Sequence, residues 1–254
     1  MIGIIGAGNM GKALALRMKQ KILVNDADSG KLRFFKKRHI GVAKDNIDLV
    51  KRSNIIIIAV KPQTMGGVLK EIKPFIKNKL LISIAAGVET RSIERIAGNI
   101  RVIRVMPNMP ALVGKGISAV TAGRFASRKD ATKARSIFLN VGEVVEVKEK
   151  LMDAVTALSG SGPAYYFLFT DVLTKAGEAC GLKKDLAARL ALATFIGAAH
   201  SANISRITMQ DFVKKVASKG GTTEAALKVF KKKRLEAIVK EAVSAARNKS
   251  RHLT

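Results

Sequence analysis

Near the start of the chain, Gly6-Ala7-Gly8-Asn9-Met10-Gly11 has the residue types and spacing to hold a pyrophosphate. The first glycine of a G-x-G-x-x-G element permits a tight turn, the second lets phosphate approach the backbone, and the third lets a helix pack closely on a strand. The apolar run Met1–Ile5 stands immediately before it and the helical stretch Lys12–Met18 immediately after, the context this motif requires. A dinucleotide is the expected ligand. A second apolar run closes on Val24-Asn25-Asp26-Ala27-Asp28. A carboxylate there accepts from a ribose 2′-hydroxyl and repels a 2′-phosphate, so Asp26 points to NADH over NADPH; the alternative is a turn or helix-cap residue. Two further strand ends should face the same ligand. One is Ala59-Val60-Lys61-Pro62, whose lysine reads equally as a surface residue. The other is Ser83-Ile84-Ala85-Ala86-Gly87, where small residues leave room for a nicotinamide ring.

Far downstream, Ser218-Lys219-Gly220-Gly221-Thr222-Thr223-Glu224 leads into a helical pattern. Consecutive glycine N–H groups before a helix capture a carboxylate, and the two threonine hydroxyls add partners for an anion or a ring nitrogen. The competing reading is a helix cap with Glu224 stabilising the first turn. Other chemistries find no support. His39, His200 and His252 stand apart and there is one cysteine, so no metal-ligand spacing exists and no metal is expected. No Ser–His–Asp arrangement suggests itself. Ser159-Gly160-Ser161-Gly162-Pro163 is not a nucleophile elbow, because the pattern before it is helical rather than extended.

The elements that must position these residues fall into two halves. Over 1–147, short apolar runs alternate with helical stretches, the pattern of a doubly wound, mostly parallel sheet. Expected strands are Met1–Ile5, Ile22–Asn25, Ile40–Ala43, Asn54–Val60, Leu80–Ala85 and Arg101–Met106; Ile117–Ala122 and Glu143–Val147, flanking a helix at Ser127–Phe138, extend one edge. After about residue 150 only helical periodicity remains, over Pro163–Cys180, Lys183–Ala202, Thr208–Lys215 and Thr223–Ala246. The division is 1–150 for dinucleotide binding and 151–254 for an all-α domain. So much Ala, Leu and Val in a helical domain suggests that its core is completed by a second copy.

Composition narrows the class. No apolar run reaches a membrane span, and Met1–Ile5 reads as a buried strand rather than a signal peptide. The single cysteine, Cys180, fits a reducing cytoplasm and reads as a buried small hydrophobe before the helix-ending Gly181. The net charge of +27 invites a nucleic-acid reading. Yet the 46 Lys and Arg are spread along the chain, aromatics total 5%, and no nucleic-acid-binding motif appears, which excludes a dedicated role of that kind. The cluster Lys231-Lys232-Lys233-Arg234 interrupts a helical pattern and reads as a solvated turn.

One segment asks for more than packing. Ala157-Leu158-Ser159-Gly160-Ser161-Gly162-Pro163-Ala164-Tyr165-Tyr166-Phe167 sets a dense run of small residues before a long helix. It resembles the signature of the pyrroline-5-carboxylate reductase family, and the rest of the chain carries that family's motifs in order: Val60-Lys61-Pro62, Ala85-Ala86-Gly87, Met106-Pro107-Asn108 and Gly220-Gly221-Thr222-Thr223. Lys219 stands where relatives have proline, and Lys215 where they often have another polar residue. The resemblance implies a Rossmann-like domain followed by an all-α dimerisation domain, assembling as a homodimer or a higher oligomer of dimers. It further implies hydride transfer from NADH or NADPH to the C=N bond of Δ1-pyrroline-5-carboxylate, giving L-proline. By the same resemblance Asn46, Lys61 and Asn108 belong to the cofactor region, and Glu149 to the substrate site, its alternative being an exposed acid between Lys148 and Lys150. Ser218, Gly221 and Thr222 would hold the carboxylate while the Thr223 hydroxyl bonds the ring nitrogen. Two other readings are a β-hydroxyacid-type dehydrogenase and a non-enzymatic basic nucleotide-binding protein. Residues 175–184 lack the Gly-x-x-x-Asn-x-x-Lys pattern of the former, and the intact Gly-Gly-Thr-Thr loop argues against the latter.

Overall fold

The computed structural model describes residues 1–253, in two compact units. The first runs from Met1 to Pro163 and takes in the chain again from Ala245; the second is Ala164–Ser244.

The first unit alternates strand and helix: β1 (Ile2–Ile5), α1 (Asn9–Arg17), β2 (Ile22–Asn25), α2 (Ser29–Lys36), β3 (Gly41–Val42), α3 (Asn46–Arg52), β4 (Ile55–Ile58), α4 (Pro62–Ile72), β5 (Leu80–Ser83), α5 (Thr90–Ala97), β6 (Arg101–Met106), β7 (Gly116–Ala122), α6 (Arg128–Phe138), β8 (Gly142–Glu146) and a short α7 (Met152–Val155). The strands form one sheet in the order β3-β2-β1-β4-β5-β6-β7-β8. The first six are parallel; β7 pairs antiparallel with β6, and β8 lies parallel to β7. The connection from β6 to β7 is too short for the helical crossover that a parallel neighbour needs, so the chain turns back. The chain order reverses between β1 and β4, and such a switch point opens a crevice at the strand C-termini.

Apolar residues on both faces of the central strands generate two cores. Ile56 and Ile58 of β4 pack with Leu49, Leu69 and Ile93 from α3, α4 and α5; Ile57 packs on the other face with Leu14, Phe35 and Phe138 from α1, α2 and α6. All three isoleucines are fully buried, at about 1.5–3 kcal/mol each. On the β7–β8 side, α6 opens with a capping box between Ser127 and Asp130, and the buried Asp130 carboxylate also accepts from Arg101 at the head of β6.

The second unit is helical: α8 (Gly162–Ala179, from Ala164 onward), α9 (Lys184–Ile204), α10 (Met209–Val216), α11 (Thr222–Lys232) and α12 (Leu235–Arg251) as far as Ser244. Gly181, at φ 94°, ends α8 through paired bonds from Leu182 N–H to Gly177 C=O and from Gly181 N–H to Glu178 C=O. The helix expected over Thr223–Ala246 is two helices, broken at Lys233-Arg234, where Arg234 takes φ 56°. The unit has almost no interior. Among residues 164–244 only Ala187 is buried, while Tyr166, Leu168, Leu190, Ile196 and Phe230 all present apolar surface. Cys180, expected to be buried, is exposed for the same reason: it lies past the last turn of α8, where nothing in the unit covers it.

Candidate active site

The glycine loop is built as its spacing requires. Gly6 takes φ 111°, and a β-carbon there would stand 2.5 Å from the Ala59 carbonyl oxygen. A β-carbon on Gly11 would overlap the Gly6 carbonyl oxygen, so α1 packs against the turn only with glycine in place. Gly8 faces open space. It is also the N-cap residue of α1 and supplies no side-chain cap, so the first amides of the helix, at Asn9, Met10 and Gly11, are left for a ligand.

Asp26, just past β2, holds this loop. Its Oδ2 accepts from Ala7 N–H at 2.7 Å, and its Oδ1 from Asp28 N–H at 2.8 Å and from the Lys31 ammonium at 3.4 Å. Burial alone would push the Asp26 carboxyl up; the two amides and Lys31 outweigh it and hold the group below the usual carboxylate range. The cap of α2 falls to Asp28, which accepts from Gly30 N–H. Beside Asp26, the Asn46 amide is fixed at both ends, accepting from Asn25 and donating to Glu71, each at 2.8 Å.

These groups line one cleft of about 330 Å3 at the β1–β4 switch point. Of the residues expected to hold the dinucleotide, Gly6, Gly8, Asp26, Asn46, Ala59, Val60 and Lys61 meet there, joined by Lys31 and Thr64. Pro62 opens α4 directly behind Lys61. An open backbone approach, a helix N-terminus and a carboxylate at the ribose position together fit a dinucleotide.

Ala85, Ala86 and Asn108 do not line that cleft. Ala85 and Ala86 follow β5, the former buried and the latter half-buried. Asn108 is a tie: its Oδ1 accepts from Ile117 N–H at 3.0 Å and its Nδ2 donates to Ser159 Oγ at 3.3 Å. The small-residue signature thus meets the Met-Pro-Asn loop directly, through a π-helical turn over Thr156–Gly160. Glu149 is neither a free acid nor a simple surface residue. It accepts from Arg104 Nη1 at 2.5 Å and from Thr90 Oγ1 at 3.2 Å. Arg104, within β6, is only 1% exposed, and its Nε and Nη2 find no hydrogen-bond partner among the described residues.

In the helical unit, the glycine pair does not offer two free amides. Gly220 N–H donates to Glu224 Oε2 at 2.6 Å, and Gly221 N–H to the Ser218 carbonyl at 3.0 Å. The Gly220 amide and the Lys228 ammonium hold the Glu224 carboxyl below its usual range. The pair is needed for shape: Gly220 takes φ 75°, and a β-carbon on Gly221 would stand 2.5 Å from Ser218 Oγ. The capping alternative also fails for the threonines, since Gly221 is the N-cap of α11 and no side chain caps it. Thr222 and Thr223 stand in the first turn, where backbone amides have no intrahelical acceptor.

A family model described as pyrroline-5-carboxylate reductase dimerisation matches residues 149–253, and one described as NADP oxidoreductase, coenzyme F420-dependent, matches residues 1–87. A pyrroline-5-carboxylate reductase of Pisum sativum is 36% identical over 100% of this chain and 96% of its own. The chain belongs to the pyrroline-5-carboxylate reductase family. A solved reductase of Coxiella burnetii superposes on it with a TM-score of 0.91 at 33% identity, covering 100% of this chain and 98% of that one. The reductase of Plasmodium falciparum, solved with NADP bound, gives 0.88 at 32% identity, covering 99% and 97%. The present reductase is thus an oxidoreductase with a Rossmann-like first half and a helical second half of the dimerisation type. Among its described residues no helix is long and apolar enough to cross a membrane, and no group of three or more His, Cys, Asp and Glu is placed to hold a metal ion.

Arg104, Glu71, Lys31 and Thr64 also take part in the site, outside the motifs that the sequence offers. Arg104 was visible as a charge inside an apolar strand, a position that demands an acceptor. Glu71 and Lys31 carried no such signal, being acidic and basic residues on helices like many others.

Proposed function

We propose that this reductase transfers hydride to the C=N bond of Δ1-pyrroline-5-carboxylate, giving L-proline, with a nicotinamide dinucleotide in the β1–β4 cleft. The observation that carries the reading is the meeting of Gly6, Gly8, Asp26, Asn46 and Lys61 around one cleft, in a chain related over its whole length to reductases of this name. When bound, the dinucleotide supplies the hydride. The chain supplies position. Gly6, Ala7, Gly8, Asn9, Met10 and Gly11 hold the pyrophosphate, with Asn46, Ala59, Val60, Lys61 and Pro62 along the cleft wall. Ala85, Ala86 and Asn108 bound the nicotinamide side.

In the substrate, the imine nitrogen is protonated and its carbon is already electrophilic, so holding the reactants together provides much of the acceleration. Thr223 acts on the ring nitrogen through its hydroxyl. The carboxylate is held by the Ser218 hydroxyl and the first-turn amides at Thr222 and Thr223, and Gly221 leaves room for it. Glu149 acts beside the substrate with its carboxylate oriented by Arg104. Lys219, replacing the family proline, leaves these donors intact.

Asp26 favours NADH, because a second negative group at the 2′-position would face its carboxylate. Two copies pair through their helical units, and the enzyme works in the cytoplasm. The decisive assay follows NADH and NADPH oxidation with pyrroline-5-carboxylate. Substrate-dependent oxidation with NADH the better cofactor is expected. None with either cofactor defeats the reading, and a clear NADPH preference defeats the role given to Asp26.

A further inference from the structure

Four stretches distant in sequence meet at the C-terminal ends of β5 and β6. Ser250, near the end of α12 and 2% exposed, donates through Oγ to Asp153 Oδ1 at 2.8 Å, across 97 positions of chain. Arg251 Nε lies 3.8 Å from the other oxygen of the same carboxylate. Asp153 also faces the buried Arg104, whose Nη2 stands 4.0 Å away, beyond hydrogen-bond reach. Arg104 in turn is bonded to Glu149, and Glu149 to Thr90 at the first position of α5. Two carboxylates and two guanidinium groups thus join β6, the 149–153 turn, the head of α5 and the 250–253 segment.

The same segment presses on the loop after β5. A β-carbon on Gly87 would stand 2.6 Å from the Ser250 carbonyl oxygen and 2.9 Å from Leu253 Cβ, so the two backbones touch with nothing between them. Leu253 forms part of the wall of a groove of about 370 Å3 beside α4 and α5, together with Met65, Leu69, Val88 and Ile93. The loop Ala85–Val88 is therefore held from below by an apolar side chain and from the side by a backbone fixed through Ser250. Loop positions at a parallel-strand C-terminus are where ligands bind in such sheets.

We propose that Ser250–Leu253 is a positioning element for the nicotinamide side of the cofactor site. It sets the backbone at Ala85–Gly87 and, through Asp153, the carboxylate side of the Arg104–Glu149 pair. Ser250 and Leu253 are positioning residues, touching neither cofactor nor substrate. The proposal rests on the functional reading above in that it takes the nicotinamide to lie beside Ala85 and Ala86.

The test uses the full chain with Ser250→Ala, Leu253→Ala and Ser250→Thr, which keeps the hydroxyl. Two probes are titrated by calorimetry: NADH, and ADP-ribose, which has the adenine half and lacks the nicotinamide. Ser250→Ala and Leu253→Ala are expected to weaken NADH by about fivefold, the scale of one lost hydrogen bond for the first and of a trimmed apolar contact for the second, and to leave ADP-ribose unchanged. Ser250→Thr should bind as wild type. An equal loss for both probes would show a general support of the fold, and unchanged NADH binding would show no role; either overturns the proposal. Amide exchange at residues 85–90 is read on the same proteins and is expected to quicken at least threefold in Ser250→Ala. That readout needs no cofactor. If the wild type binds neither probe, the functional reading fails, and unchanged exchange in Ser250→Ala then separately overturns the positioning role.

Discussion

Asp26 uses both oxygens for the chain itself, one on Ala7 and one on Asp28 and Lys31. The cofactor preference proposed for it is therefore coupled to the order of the glycine loop. Asp26→Ala should raise KM for NADH by about tenfold while raising KM for NADPH less, because the repulsion leaves with the carboxylate. Because its folded pKa is depressed, the charge stabilises the fold at all pH values above the ordinary aspartate value of about 3.9 and ceases to do so as pH falls through the lower folded value. Comparing denaturant midpoints of wild type and Asp26→Ala between pH 7 and pH 2 checks this: the gap should stay constant down to about pH 4 and close below it. At Thr223, loss of the proposed bond to the reacting ring should cost at least about tenfold in kcat/KM, or ~1.4 kcal/mol. Steady-state kinetics of Thr223→Ala with an unchanged value would remove the hydroxyl from the mechanism. Glu149→Gln leaves the buried Arg104 without a full countercharge and should lower stability by about 2 kcal/mol, read as a shift in urea midpoint at constant slope.

At the level of elements, most of the scaffold could be read from the residues. The glycine fingerprint, the apolar strands and the helical second half each carry a local signal, and each forms where its signal lies. Strand direction does not: β7 and β8 have the same apolar character whichever way they run, and only the short link after Met106 told against a parallel pair. The break at Lys233-Arg234 was legible as four successive cations, but the left-handed backbone of Arg234 was not. Least visible were the ties between distant segments. Nothing local to Asn108 names Ser159, and nothing near Asp153 names Ser250. The amides expected free at Gly220 and Gly221 are taken by Glu224 and Ser218, because a tight loop satisfies its own donors first. Gly11→Ala tests the element that mattered most: the added methyl meets the Gly6 carbonyl, and a loss of about 2 kcal/mol in thermal stability with no measurable NADH binding is expected.

Taken whole, the reductase is a strongly cationic protein whose charge is spread rather than patterned. Such a surface attracts polyanions without selecting among them, so any binding to duplex DNA should disappear between about 50 and 200 mM salt in a filter-binding titration. Affinity that survives would mean a nucleic-acid site after all. The two halves differ in how they are held together. The sheet carries two cores within one chain; the helices, with Ala187 alone buried among residues 164–244, carry none. With two copies paired through these helices, as proposed, unfolding of the helical half is coupled to dissociation. Its midpoint is a function of concentration, and tenfold dilution should lower it by a few degrees while leaving the melting of the sheet where it was. In a cell, the abundance of this enzyme would itself set how much of it stays folded.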